Sequence, residues 1–233
     1  MRDRATVYGH MPTLQRKYNT YEQFAAAPFA TMFDKDIQDT MLTRQVTTTT
    51  SCVLINNGSG VFTVRDLPND AQIAPMMGTC LLDINDDGNL DILTVGNMYG
   101  ADREIVKYDA GKGLLMLGNG TGGFTALTPA ESGFSIDADA RSMVVVGSVP
   151  EKSRQLVVFA NQSASYLYAI PGIGELVPGT DKGGFMVLAN GRTRKFECNY
   201  GGSYISDQPK WIYKTSSVQR FVNAQSVPTT GGR

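Results

Sequence analysis

Nine residues carry the densest chemistry in this sequence: Asp83-Ile84-Asn85-Asp86-Asp87-Gly88-Asn89-Leu90-Asp91. Asp83, Asn85 and Asp87 stand at alternate positions, so a curled loop can aim three side-chain oxygens at one point. Gly88 permits the sharp turn that brings the Asn89 carbonyl round, and Asp91 closes the ring. An oxygen-only set rich in carboxylates is what a hard cation such as Ca²⁺ selects. Like charges this close repel one another unless a cation lies among them. The alternative is a solvated Asp/Asn-Gly turn. An EF-hand begins in the same way but requires Glu at its twelfth loop position and helices on both sides. Here that position is Thr94, and the flanks Cys80-Leu81-Leu82 and Ile92-Leu93-Thr94-Val95 are apolar strand sequence. The expected unit is strand–loop–strand, with Asp83, Asn85, Asp87, Asn89 and Asp91 as calcium ligands.

Such a loop needs a β framework to hold it, and the chain supplies short apolar or β-branched runs from about residue 45 onwards. Residues 51–56, 79–84, 91–96, 113–118, 143–147 and 155–160 all have strand length and are separated by Gly and Asn. Asn57-Gly58-Ser59-Gly60-Val61-Phe62 also aligns with Asn119-Gly120-Thr121-Gly122-Gly123-Phe124, an offset of 62 residues. Each copy follows an apolar strand and precedes an alternating run. The spacing predicts two hairpins whose Asn/Gly turns accept positive φ. A weaker, charged echo at 190–196 predicts a further hairpin in a separate C-terminal module, with the Gly/Pro-rich stretch 171–184 as the boundary.

The first 44 residues follow another pattern. Leu14, Tyr18, Tyr21, Phe24 and Ala25, then Met32, Phe33, Ile37, Met41 and Leu42, recur at helix-like spacings interrupted by Pro28. Two short amphipathic helices are expected, the second capped by Asp34 or Asp36, with the aromatic stripe as a packing face.

Composition narrows the chemistry further. Lys plus Arg total 21 against 22 for Asp plus Glu, a formal net charge of −1, which argues against a protein that holds nucleic acid by bulk charge. One histidine, His10, leaves little material for His-based metal sites or for Ser-His and Cys-His catalysis. Cys52, Cys80 and Cys198 form no CxxC pair, so buried free thiols are expected, with a Cys52–Cys80 disulfide as the alternative. No apolar run approaches the ~20 residues of a membrane helix. No signal peptide is visible at the N-terminus, so the chain is read as intracellular or as a piece of a longer exported protein.

The DxNxDGxxD loop between strands, followed by the Asn-Gly-Thr-Gly-Gly-Phe turn, resembles the FG-GAP or VCBS repeat. The resemblance implies β-propeller blades with structural calcium in their loops. More closely, Leu67-Pro68, Ala71-Gln72, Ala74-Pro75, the Gly96–Gly100 string and residues 108–115 resemble exported VCBS-repeat proteins typical of Bacteroidetes. In such proteins an ASPIC/UnbV module follows the last blades, and Leu188-Ala189-Asn190-Gly191 with Tyr200-Gly201-Gly202-Ser203-Tyr204-Ile205-Ser206 is similar to it. The expected architecture is mainly β: a helical segment at 1–44, partial propeller-type blades at 45–170 and a C-terminal β module at 171–233. The Ser135–Arg141 stretch is read as the next blade's loop, degenerate and without metal.

Three functional readings follow. The first is a non-catalytic, calcium-stabilised binding or adhesion module, extracellular or on the cell surface, taking a glycan or a protein. The second is a polysaccharide hydrolase or lyase, for which Asp102-Arg103-Glu104 offers the candidate acid pair. The third is an inert structural fragment. Tyr99, Tyr108, Trp211 and Tyr213 are candidates for stacking on sugar rings, against an ordinary role as core or rim aromatics. An incomplete set of blades leaves strand edges unpaired, so self-association is expected.

Overall fold

The computed structural model describes residues 3–101, 105–148, 153–170, 175–178, 183–197 and 211–223. The chain divides into two compact units, Met1–Thr49 and Thr50–Arg233.

Among its described residues the first unit has five short helices: α1 (Arg4–His10), α2 (Pro12–Lys17), α3 (Tyr21–Ala26), α4 (Phe29–Met32) and α5 (Lys35–Thr40). Two helices were expected, and the start and stop signals explain the larger number. Asp3 caps α1 by accepting from Thr6 N, and Pro12 opens α2. Thr20 and Gln23 form a reciprocal capping box on α3. Pro28 then excludes helical backbone at Ala27, which is extended at ψ 117°. Asp34 sits at the N-cap of α5 without a side-chain cap bond. Tyr8 meets Phe24 edge to face at 5.4 Å, and Tyr8 and Leu14 are buried. Tyr21, Phe29, Ile37 and Leu42 are exposed, so the apolar stripe is only partly a packing face.

The second unit is mainly β. Strands β1 (Cys52–Asn56) and β2 (Phe62–Asp66) form a hairpin, followed by a 3₁₀ turn at Asn69–Gln72. Strands β3 (Gly78–Leu82), β4 (Asp91–Val95), β5 (Leu114–Gly118) and β6 (Phe124–Leu127) form a four-stranded antiparallel meander. A capped single turn, α6 (Pro129–Ser132), leads to a three-stranded meander of β7 (Asp139–Ser148), β8 (Ser153–Asn161) and β9 (Tyr166–Ile170). Two small sheets follow. Strand β10 (Glu175–Pro178) pairs with β13 (Trp211–Lys214), and β11 (Gly184–Leu188) lies between β12 (Thr193–Phe196) and β14 (Val218–Asn223).

Side-chain alternation along β4 and β5 explains how the first three sheets stack. Ile92 and Met116 face the first hairpin, packing with Leu67, Ala71 and Val53. Leu93, Val95 and Leu115 point the other way and join Cys80, Ile136, Met143, Leu156 and Val158 in the largest core cluster. The four-stranded sheet is therefore covered on both faces, and every residue of β4 is buried.

Both expected hairpins form, and they close alike. Asn57 N donates to Val61 O at 2.9 Å, and Asn119 N donates to Gly123 O at 3.0 Å. Gly58, Gly60, Gly120 and Gly122 all have φ between 73° and 89°. The first hairpin also touches the second turn: Arg65 Nη1 of β2 donates to Thr121 O at 3.1 Å. The charged echo turns at Gly191, φ +80°, between β11 and β12.

One placement differs from expectation. Asp139 is the first residue of β7, so residues 135–141 lead into a strand instead of joining two strands of a sheet. Their acids are ion-paired, Asp137 with Lys112 at 2.8 Å and Asp139 with Arg141 at 2.9 Å.

Candidate metal centre

The 83–91 loop is the connection between β3 and β4. Its base is fixed by the pairing of Leu82 with Asp91. Asp91 is fully buried, and both its oxygens are engaged: Oδ2 accepts from Ile84 N at 2.8 Å and Oδ1 from Gly118 N at 2.9 Å. This carboxylate therefore ties the loop to β5. Burial pushes its pKa up; the two amide bonds oppose that, and the charges of Asp87 and Asp83 add to it.

Asp83 is also buried. Its Oδ2 accepts from Gly88 N at 2.9 Å and from Ser217 Oγ at 3.0 Å. Its Oδ1 is buried and has no hydrogen-bond partner. The Gly88 bond curls the loop, and two left-handed residues make the curl possible, Asp86 at φ +62° and Gly88 at φ +87°. A side chain at Gly88 would also press within 3.1 Å of Leu188 Cδ1.

The other expected ligands lie on the outer part of the loop. Asn85 Oδ1 accepts from Asp87 N at 3.3 Å, and Asn85 Nδ2 donates to Asp87 Oδ2 at 3.1 Å. Asp87 Oδ1 accepts from Asn89 N at 2.7 Å. Slight burial works against the Asp87 carboxylate, but the Asn89 and Asn85 hydrogen bonds and the Arg192 charge outweigh it and lower its pKa. All five residues share one loop. Among the described residues, however, no three His, Cys, Asp or Glu side chains gather as a metal-holding group. The oxygen donors and the unpartnered buried Asp83 Oδ1 fit an oxygen-seeking cation. The Asp91 carboxylate, which accepts from two amides, also serves the framework.

Sequence reasoning missed the partners that hold the loop from outside. They come from the last strands of the described chain and the turns beside them. Arg192 Nη1 donates to Asn89 Oδ1 at 3.0 Å. Arg194 Nη1 donates to Gly88 O at 3.0 Å and lies 3.6 Å from Asp83 Oδ2. Ser216 Oγ and Ser217 N both donate to Asp86. Burial opposes the charged form of Asp86, yet bonds from Ser216, Thr215 and Ser217 prevail and lower its pKa to about 2. The only sequence signal for these partners was the charge in the 190–196 turn.

A second missed residue is Asn97, fully buried. Its Nδ2 donates to Gly111 O and Ala138 O, both at 2.9 Å, and its Oδ1 accepts from Gly111 N at 2.9 Å. This side chain closes the 97–111 loop, which carries Tyr99 and Tyr108. Tyr99 is 37% exposed with Lys107 Nζ 4.7 Å from its ring centre, and Tyr108 is 49% exposed. Near the base of this loop lies a cleft of ≈190 Å³ lined by Ala71, Pro75, Val95, Gly113 and Leu127.

The remaining candidates do not join the site. Asp102, Arg103, Glu104 and Cys198 lie outside the described residues, as do the side chains of Trp211 and Tyr213. His10 is exposed at the end of α1 in the first unit. Cys52 and Cys80 are not joined by a disulfide, and the buried Cys80 Sγ donates to Met143 O at 3.9 Å.

No protein-family model, no curated protein and no solved structure matches this chain.

Proposed function

We propose that this chain is a non-catalytic, calcium-stabilised binding module built of β-propeller-type blades of the FG-GAP or VCBS kind. Residues 171–233 are read as its ASPIC/UnbV-like module. In this reading it acts outside the cell or on its surface, as part of a longer exported protein, and takes a glycan or a protein. The observation that carries the reading is Asp83 Oδ1, a buried carboxylate oxygen without a hydrogen-bond partner inside an all-oxygen loop. Leaving such an acceptor unsatisfied costs about 1–3 kcal/mol, and a cation would remove that cost. Asp83, Asn85, Asp87, Asn89 through its carbonyl, and Asp91 would hold the ion. It would neutralise the loop and brace β3 against β4.

Successive antiparallel sheets packed face to face, with the middle one covered on both sides, support the blade reading. The half-exposed Tyr99 and Tyr108 support a ligand surface on the 97–111 loop. A single histidine in the whole chain, exposed on α1, favours binding over acid–base catalysis.

Thermal and chemical unfolding with calcium and with chelator tests the proposal. Calcium at about 100 times its Kd is expected to add ~2.7 kcal/mol. Asp83→Asn and Asp87→Ala should abolish that increment. Coincident unfolding curves with calcium and with chelator sink the reading.

A further inference from the structure

Arg194 directs a positive charge at oxygens assigned above to the cation. Its Nη1 donates to Gly88 O at 3.0 Å, reaches Asn89 O at 3.4 Å and lies 3.6 Å from Asp83 Oδ2. The side chain is largely buried, 17% exposed, and the Asp83 side chain more so at 3%. Just before β12, in the turn that leads into it, Arg192 donates to Asn89 Oδ1 at 3.0 Å. Two guanidinium groups, one from the β11–β12 turn and one from β12, therefore meet the loop.

We propose that Arg194 is a built-in competitor of the divalent cation: the loop engages either Arg194 or Ca²⁺ through Asp83 and Asn89. This rests on the calcium reading and adds a coupling to it. A guanidinium and a divalent ion sharing one carboxylate in a partly buried site repel each other strongly. The other contacts to the same sheet behave differently. Ser216 and Ser217 are neutral donors: both bond Asp86, which is outside the ligand set, and Ser217 Oγ also donates to Asp83 Oδ2 without bringing a charge. Calcium uptake thus frees β12 at Arg194 while the Asp86 contact to the Thr215–Ser217 turn stays. The loop becomes a switch that exchanges an internal cation for an external one.

Calorimetric titration of the full chain with calcium chloride, combined with hydrogen exchange at β12, tests the exchange. Arg194→Gln is expected to bind calcium at least tenfold more tightly than the wild type, and Arg194→Lys, which keeps the charge, to stay close to it. Calcium should also speed amide exchange along β12 in the wild type and leave the Ser217 amide protected. Should Arg194→Gln not fold, the more exposed Arg192→Gln is expected to tighten binding in the same direction by a smaller factor. Equal or weaker affinity in the folded Gln variant, or unchanged β12 exchange, overturns the competition while leaving the cation site standing. No calcium binding in any of these proteins overturns both.

Discussion

Asp86 shows how one residue can serve a loop without belonging to the ligand set proposed for it. Its left-handed backbone shapes the turn, and its carboxylate is held by the Thr215–Ser217 turn before β14. Because its folded pKa is depressed to about 2 from an ordinary 3.8, its contribution to stability is complete above pH 4. That contribution is lost as pH falls from about 4 towards 2. After allowance for solvent screening it amounts to on the order of 1 kcal/mol. Asp91 acts with the opposite sign, since its raised pKa favours the protonated form in the folded state. Asp86→Asn should therefore flatten the loss of stability between pH 4 and 2, as measured by urea unfolding across that range. An unaltered slope in the variant would show that the Ser216 and Ser217 bonds contribute nothing.

The contrast between β4–β5 and β1–β2 sets the expectation for whole elements. Met116 on β5 is fully buried between the middle sheet and the first hairpin, whereas Leu54 on β1 is 59% exposed. Met116→Ala should cost about 3 kcal/mol in equilibrium unfolding. Leu54→Ala should stay within about 0.5 kcal/mol. Similar losses from both would mean that the outer face of β1 is covered. The same contrast explains what could be read from residue patterns. The strand–loop–strand unit and the two Asn-Gly hairpins were legible because Gly and Asn turns and apolar runs are local signals. The five helices of the first unit were not, because caps at Asp3 and Thr20 and prolines at 12 and 28 divide a pattern whose periodicity looks continuous. Nor were Arg192, Arg194 and Ser217 legible as loop partners, since only tertiary packing brings them to Asp83 and Asn89. Asn97 was hidden for the same reason: a lone polar residue after an apolar run looks like a turn until its three buried hydrogen bonds, to Gly111 and Ala138, are seen.

At the scale of the molecule, the first hairpin stands out as unfinished. Strand β2 is exposed along its whole length, and β1 pairs with β2 alone among the described residues. Leu54 faces Val64 across the pair, and Phe62 lies further along the same face, all more than half exposed. A two-stranded ribbon with an apolar face and open edges recruits further strands. Concentration-dependent association is expected in sedimentation, and Val64→Lys should weaken it. A wild-type chain that stays monomeric at every concentration would exclude the association.

The clamp on the loop also orders events during synthesis. The Gly88–Asp83 bond spans five residues, but the Arg194 and Ser217 bonds to the loop span 105 to 134. A ribosome adding ~5–20 residues per second completes β3 and β4 several seconds before Arg194 and Ser217 emerge. During that interval the nascent loop is open to ions and free of its arginines. The first cation it meets is the solvent's, and the chain's own arrives second.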